Sequence, residues 1–274
     1  MTTRVMVDDA RGQHRMKLGL DGKVAIVTGG SKGIGRAAAL GFVAEGASVV
    51  ACARGKDALE ETVALAGEAG ARRLTPVAAD LTISADIARV VARCIETYGR
   101  VDILVNNAGS ARPGQFRKIS DQDWLDDWTL KFFGYVRMAR EVIPHMERQK
   151  SGVIINVVGT GGLRPTAGYM VGGAANAALN HFTKALADEG AKLGVRVAGI
   201  NPGPILTERL RLFTERAAAG RSLDEVYARM TPLRRPGKPE EVADLILFLA
   251  SERAAFIHGA NITIDGGANP GLMG

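Results

Sequence analysis

The chain has 274 residues and a mass of 28.9 kDa, a length that suits one large α/β domain as well as two small ones. Hydrophobic residues make up 46% and charged residues 23%, which excludes a disordered chain, and 34 glycines without a three-residue period exclude collagen. The net charge is +6, but the basic residues are not interleaved with aromatics, so we expect no nucleic-acid partner.

The cellular location is inferred from short stretches of sequence. Residues 1–17 mix acids and bases around no apolar centre, which indicates a flexible N-terminal arm and not a secretory signal. No apolar run reaches the ~20 residues of a membrane span, so we expect no membrane partner. Cys52 and Cys94 lie in apolar stretches, which favours a reducing, cytoplasmic compartment. The scattered histidines predict no metal site.

Short apolar runs alternate with longer amphipathic segments from Lys23 onward. The pattern predicts strands at residues 24–28, 48–53, 74–78, 102–105, 153–158, 195–200 and 261–264, and helices at 33–45, 56–69, 84–98, 121–146, 174–192 and 239–249. Strands that are apolar on both faces imply a parallel sheet with helices on each side. Right-handed crossovers then give a single-domain, Rossmann-type doubly wound α/β fold over residues 18–274.

A glycine-rich turn joins the first strand to the first helix. It contains Gly29, Ser31, Lys32, Gly33, Ile34 and Gly35. Its glycines permit positive φ and close approach of a pyrophosphate, and the helix N-terminus offers free N–H groups. The turn therefore predicts a dinucleotide site; the alternative is a merely flexible loop.

The end of the second strand distinguishes NADP(H) from NAD. An acidic residue there would bind the ribose 2′-hydroxyl of NAD, whereas a cation accommodates the 2′-phosphate of NADP. The strand ends at Arg54 with no acid, and Lys32 lies on the facing turn. We expect NADP(H) more than NAD; the alternative is that both cations are solvated surface charges.

Five motifs in this order resemble the short-chain dehydrogenase/reductase family over about residues 18–268. They are residues 28–35, Asp80-Leu81, Asn106-Asn107-Ala108-Gly109, Asn201-Pro202-Gly203-Pro204 with Thr207, and Asp265-Gly266-Gly267. The resemblance implies cofactor contacts: Asp80 and Leu81 on the adenine side, Asn107, Ala108 and Gly109 along the crevice, and Pro202, Gly203, Ile205 and Thr207 at the nicotinamide carboxamide. An alternative for the asparagine pair is a turn that ties neighbouring strands, and both roles can coexist.

The catalytic set that the resemblance implies is missing. Lys131 stands at the position of the family's asparagine and Gly159 at that of its serine. Gly172 replaces the tyrosine and Asn176 the lysine. All four usual positions therefore differ.

Two hypotheses follow from this gap. In a rearranged site, Lys131 and Asn176 have exchanged roles, with Tyr169 and Thr160 close to the usual tyrosine and serine positions. A cation near a phenol favours its ionised form. In the other hypothesis the protein binds NADP(H) without catalysis, as a sensor or through association. Tyr169 would then pack as a lid residue, and Lys131 would make a structural hydrogen bond to a strand carbonyl.

Residues 204–236 are predicted to cover a small-molecule substrate, as the equivalent segment does in the family. The seven arginines of this lid are compatible with an anionic substrate or with a solvated basic helix. The resemblance also implies a homodimer or homotetramer, which the alanine-rich residues 174–191 and apolar residues 245–256 would allow. The leading expectation is an NADP(H)-dependent oxidoreductase acting on a carbonyl/alcohol pair, because hydride transfer needs alignment more than a protein group.

Overall fold

The computed structural model describes residues 7–8, 14–15, 17–109, 112–217 and 222–269. Its main sheet has seven strands: β1 (Val24–Thr28), β2 (Ser48–Ala53), β3 (Leu74–Ala78), β4 (Ile103–Asn106), β5 (Gly152–Val157), β6 (Val195–Pro202) and β7 (Asn261–Ile264). Neighbouring strands are all parallel, in the order β3-β2-β1-β4-β5-β6-β7. Val7–Asp8 and His14–Arg15 form a separate antiparallel pair, and the rest of residues 1–16 of the predicted arm lies outside the described residues.

Helices connect the strands. They are α1 (Gly33–Ala44), α2 (Lys56–Leu65), α3 (Gly67–Ala71), α4 (Ser84–Tyr98), α5 (Asp121–Trp128), α6 (Gly134–Gln149), α7 (Met170–Leu193), α8 (Glu208–Ala217), α9 (Leu223–Ala228) and α10 (Pro239–Ala250). The predicted lid contains α8 and α9, and residues 218–221 of it lie outside the described residues.

Two apolar clusters cover the two faces of the sheet. One includes Phe42 of α1 and Ile246 of α10, and the other includes Met138 of α6 and Leu186 of α7. Burying a side chain of this kind contributes about 1.5–3 kcal/mol, so both layers stabilise the sheet substantially. The predicted single-domain, doubly wound α/β fold is confirmed.

The predicted continuous helix over residues 121–146 is interrupted. A π-helical turn, Thr129–Phe133, separates α5 from α6, whereas Pro144 lies inside α6 without ending it. A π-turn adds one residue to a helical turn, and apolar periodicity is too coarse to detect that insertion. The predicted helix 56–69 is likewise divided, at Gly67 with φ of +69°.

The strand order places the candidate site. The chain winds from β1 through β2 to β3 on one side, and β4 then lies on the other side of β1. A crevice opens at the carboxyl ends of strands where the winding reverses in this way. The loops after β1, β2, β4, β5 and β6 therefore converge on one edge of the sheet.

Candidate active site

The glycine turn after β1 has the shape of a phosphate cradle. Gly29 and Gly33 have φ of +67° and +53°, which side chains rarely adopt. A Cβ at Gly35 would lie 2.5 Å from the Asn107 amide nitrogen and 2.7 Å from the carbonyl carbon of Gly29. Lys32 precedes α1 without a side-chain cap, so the turn presents the open N-terminus of a helix. The backbone fits a bound pyrophosphate.

Predicted residues from β4 and the lid hold this turn in place. The backbone N–H groups of Asn107 and Ala108 donate to Thr28 Oγ1 at 2.8 and 3.0 Å. The Asn107 amide donates to the Thr28 carbonyl at 2.9 Å. This bond ties two neighbouring strands together, which is the alternative role that the sequence suggested for the asparagine pair. Thr207 lies against the turn, because a Cβ at Gly33 would be 3.0 Å from its Cγ2. These contacts bring the predicted nicotinamide end and the phosphate turn together.

The predicted 2′-phosphate cations occupy adjacent strand ends. Gly30 N–H donates to the Cys52 carbonyl at 3.1 Å, which sets the turn beside the strand that leads to Arg54. Lys32 Nζ, however, donates to Glu208 Oε2 of α8 at 2.7 Å, and this bond holds the pKa of the Glu208 carboxyl below its ordinary value. The lid therefore already engages one of the two cations.

Asp80 continues the same wall. Ala79 N–H donates to the Ala53 carbonyl at 2.9 Å, so Asp80 follows the end of β3 beside the end of β2. Asp80 Oδ1 accepts from the backbone N–H and hydroxyl of Thr82 at 2.9 and 2.8 Å. The carboxylate is thus fixed at the edge where the resemblance places the adenine.

The π-turn places Lys131 inside the molecule. Its side chain is only 7% exposed, and its aliphatic part packs on Gly109, where a Cβ would lie 2.5 Å from Lys131 Cδ. Burial first, and the positive charge of Arg209 second, lower the pKa of Lys131 from 10.5 to about 7. A lysine that can change its charge near neutral pH is typical of functional sites, as are π-turns.

The Lys131 ammonium meets the end of β5. Nζ donates to the Val157 and Val158 carbonyls at 3.2 and 3.0 Å, and to Tyr135 Oη at 3.2 Å. The bonds to the Val157 and Val158 carbonyls are the structural hydrogen bonds that the sequence analysis gave as the alternative role of Lys131. Val158 immediately precedes Gly159, which stands at the family's serine position. The hydrogen bond to the Val158 carbonyl therefore holds the Lys131 ammonium next to that position.

Tyr135 is a site residue that the motif comparison misses. Its phenol is 1% exposed and donates to the Val157 carbonyl at 2.8 Å. The pKa of Tyr135 is raised, first by burial and then by its electrostatic interaction with Tyr169. The two phenols are therefore within electrostatic range. The i, i+4 spacing of Lys131 and Tyr135 was the available sequence signal.

Tyr169 lies across Gly172, the usual tyrosine position. A Cβ at Gly172 would overlap the phenol end of the ring, with Cε1 at 2.6 Å. A Cβ at Gly161 would lie 3.1 Å from the same Cε1. The phenol of Tyr169 thus occupies space that any side chain at position 172 would need.

Asn176 lies beneath the turn after β5. Its amide nitrogen would be 3.0 Å from a Cβ at Gly159 and 3.3 Å from one at Gly161. Asn176 is 3% exposed, and its Oδ1 has no hydrogen-bond partner among the described residues. Gly159 has φ of +128°, so a serine there would be strained. Thr160 begins the 3-10 turn that follows.

A cavity of about 600 Å³ opens between the loop after β4 and the segment that leads into α7. It is lined by residues 113–116 on one side and by Ala167, Gly168 and Met170 on the other. Gly114 N–H donates to the Gly168 carbonyl at 3.0 Å and joins these two walls. The cavity therefore borders the segment that carries Tyr169, but the Tyr169 side chain is not among its lining residues.

The structure brings the predicted catalytic residues to one place, around the end of β5. Its described hydrogen bonds do not join Lys131 directly to Tyr169. In the same described ranges, no cluster of three His, Cys, Asp or Glu side chains could hold a metal ion, and no helix has the length and apolar character to cross a bilayer.

Comparisons with known proteins cover nearly the whole chain. Residues 29–269 match a family model described as enoyl-(acyl carrier protein) reductase. The chain is 36% identical over 248 residues to the 3-oxoacyl-(acyl-carrier-protein) reductase FabG of Thermotoga maritima, covering 90% of this chain and 98% of that protein. It is 32% identical over 254 residues to the 7alpha-hydroxysteroid dehydrogenase of Escherichia coli, covering 91% and 95%. The structure of L-sorbose reductase from Gluconobacter frateurii, complexed with NADPH and L-sorbose, matches with a TM-score of 0.89 and 35% identity, covering 94% of this chain and 100% of that chain.

Proposed function

Because the chain belongs to the short-chain dehydrogenase/reductase family of oxidoreductases, we propose that it transfers hydride between NADP(H) and a small carbonyl or alcohol substrate at a rearranged acid–base site. The observation that carries this proposal is the phenol of Tyr169 lying over Gly172. The Tyr169 hydroxyl would supply a proton donor at the position where the family has its tyrosine and this chain has Gly172. Tyr169 also interacts electrostatically with Tyr135, whose hydroxyl bonds Lys131.

The chain's own residues would hold the cofactor as follows. The turn of Gly29, Gly33 and Gly35 with the N-terminus of α1 would bind the pyrophosphate. Asp80 with Leu81 would contact the adenine, and Asn107 to Gly109 would line the crevice. The remaining contacts would come from Ser31 and Ile34 of the turn, and from Pro202, Gly203, Ile205 and Thr207 near the nicotinamide. When bound, the nicotinamide exchanges hydride at its C4.

NADP(H) is the preferred cofactor in this proposal. Arg54 and Lys32 follow adjacent strand ends, and the L-sorbose reductase is complexed with NADPH. Lys32 must leave Glu208 before it can meet a 2′-phosphate. Water and salt screen an exposed ion pair of this kind, so a phosphate can displace the carboxylate.

The proton is handled by Tyr169 and Lys131. During carbonyl reduction the Tyr169 hydroxyl gives its proton to the developing alkoxide, and the ammonium of Lys131 stabilises the phenolate that remains. Asn176, whose Oδ1 has no partner among the described residues, would bind a ribose hydroxyl or water, and Thr160 would orient the carbonyl. Positioned acid–base groups of this kind contribute about 10²–10⁴-fold to a rate.

Cofactor choice can be tested at Arg54. Replacing it with alanine is expected to weaken NADPH binding about 10–100-fold, because a hydrogen bond to a charged group is worth about 1.5–3 kcal/mol. NADH binding should not change. Lys32→Ala should cost less, since Lys32 must first leave Glu208. Nucleotide titration followed by fluorescence measures both affinities, with Lys192→Ala on the exposed end of α7 as the charge-matched control. Equal loss of NADPH and NADH affinity in Arg54→Ala would contradict the assignment.

The protein is also proposed to assemble as a homodimer or homotetramer. Phe256, which follows α10, has a fully exposed side chain, and Leu245 and Phe248 of α10 are only partly buried, whereas the other apolar residues of that helix lie in the core of this chain. A second copy could cover these exposed apolar side chains. Elution at the monomer volume in size-exclusion chromatography would contradict this proposal.

A further inference from the structure

Lys131, Tyr135 and the Val157 carbonyl form a closed triangle of hydrogen bonds. Tyr135 gives its single hydroxyl proton to the Val157 carbonyl at 2.8 Å. Its oxygen can therefore only accept at the 3.2 Å contact with Lys131 Nζ. The Val157 and Val158 carbonyls also accept from Nζ. An ammonium has three protons, and the structure supplies three acceptors for them.

The phenol oxygen is the acceptor that distinguishes this arrangement. The two carbonyls belong to the backbone of β5 and the turn after it, so they are present whatever the side chains are. Tyr135 is 1% exposed, and a phenylalanine ring would fill the same space. A buried hydroxyl is costly unless bonded, and this one both donates and accepts. The hydroxyl therefore serves the lysine and not the packing.

Other titratable groups lie on the elements that carry or neighbour Lys131 and Tyr135. Arg209 of α8 opposes the charge of Lys131, and Tyr169, at the start of α7, acts on Tyr135. On α5 the carboxylate of Asp127 accepts from Arg112 at 2.7 and 3.3 Å. Burial and a neighbouring cation thus disfavour the ammonium, and the three acceptors favour it.

We propose that Tyr135 is a positioning residue of the active site, whose phenol oxygen holds the ammonium of Lys131 charged and in place beside Tyr169. The catalytic consequence of this assignment rests on the proposed function, because it assumes that Tyr169 needs the charge of Lys131 to exchange its proton. The expected effect of Tyr135 on the pKa of Lys131 does not rest on the proposed function.

Tyr135→Phe tests the assignment. Loss of a hydrogen bond to a charged group is expected to lower the pKa of Lys131 by about one to two units. In lysine-labelled protein, the ¹³Cε signal of Lys131, assigned by its absence in Lys131→Met, reports this pKa directly. Carbonyl reduction requires the charged lysine, so the rate of the wild type should fall as pH rises through the pKa of about 7. In Tyr135→Phe the same fall should occur at lower pH by the same shift.

Tyr98→Phe is the matched control. The Tyr98 hydroxyl bonds Thr75 at 2.9 Å near β3, outside the candidate site, so its loss should leave the Lys131 titration unchanged. If Tyr135→Phe lowers stability but leaves the Lys131 midpoint in place, the role of Tyr135 is only structural and the inference is wrong. If the midpoint moves but no carbonyl compound is reduced by the wild type, the inference holds and the proposed function fails.

A second measurement covers the case in which Tyr135→Phe does not fold. In the intact protein, the ¹³Cζ signal of Tyr135 should move with the same midpoint as Lys131 ¹³Cε, since one hydrogen bond joins the two groups. A Tyr135 signal that is insensitive to the Lys131 titration would overturn the inference.

Discussion

Replacing Lys131 with methionine is expected to lower carbonyl reduction by about 10²-fold or more while leaving NADPH binding intact. Methionine fills most of the same volume against Gly109 but removes the charge. The phenolate of Tyr169 would then form without a stabilising cation, and acid–base assistance of this kind is worth about 10²–10⁴-fold. Steady-state kinetics should show the loss in kcat more than in KM.

The same substitution is expected to raise stability. The pKa of Lys131 is about 7 in the folded protein and near 10.5 when exposed, and one unit corresponds to about 1.4 kcal/mol. Burying the charge therefore costs several kcal/mol at or below pH 7, partly offset by three hydrogen bonds that methionine cannot make. A net gain of about 2 kcal/mol is expected for Lys131→Met at pH 6–7.

The sign of the pH dependence follows from the lowered pKa. Between pH 7 and 10.5 the unfolded wild type binds more protons than the folded protein, so the Lys131 contribution to the free energy of unfolding rises with pH. This rise should be absent in Lys131→Met. Urea denaturation at several pH values measures it, with exposed Lys192→Met as the control that keeps the wild-type dependence. A less stable Lys131→Met with unchanged turnover would indicate a purely structural lysine.

Tyr169→Phe and Gly172→Ala are expected to damage the reaction in the same way, by about 10²–10⁴-fold in kcat. Phenylalanine removes the hydroxyl, whereas a methyl at Gly172 overlaps the phenol end of the Tyr169 ring and must displace it. Proton transfer tolerates little displacement, so a shift of about 1 Å is enough to lose about 10²-fold. NADPH affinity should be retained in both variants.

A glycine elsewhere in the helices controls for the added methyl. At Gly134 the nearest atoms to a new Cβ lie 3.7 Å or more away, so Gly134→Ala should leave kcat unchanged. Gly172→Ala with normal kcat, beside an inactive Tyr169→Phe, would mean that the phenol works from another position. Normal kcat in both variants would remove Tyr169 from the mechanism.

The sequence predicted the fold because its signals are local and repeated. Apolar strands such as Val24–Thr28 are buried on both faces, and the glycine turn after β1 adopts the positive φ angles that its glycines permit. Helix interruptions were missed, since the π-turn of Thr129–Phe133 changes the helical register by one residue without leaving a composition signal.

The site was predictable only in part. The motifs identified Lys131, Gly172 and Asn176, because these positions can be counted along the sequence without knowledge of the three-dimensional structure. The contacts of Tyr169 depend on how its ring lies over Gly172, which spacing alone does not determine. Tyr135 was missed for a related reason: its role depends on a backbone carbonyl of β5, and carbonyls carry no sequence signature.

The most direct test of the rearranged site is a crystal structure with NADP⁺ and an alcohol or carbonyl ligand. The Tyr169 oxygen should lie within hydrogen-bonding distance of the ligand oxygen beside nicotinamide C4, with the Lys131 ammonium next to the Tyr169 phenol. A Tyr169 phenol turned away from the nicotinamide and too far from the Lys131 ammonium for its charge to stabilise a phenolate would contradict the account and favour a protein that binds NADP(H) without catalysis.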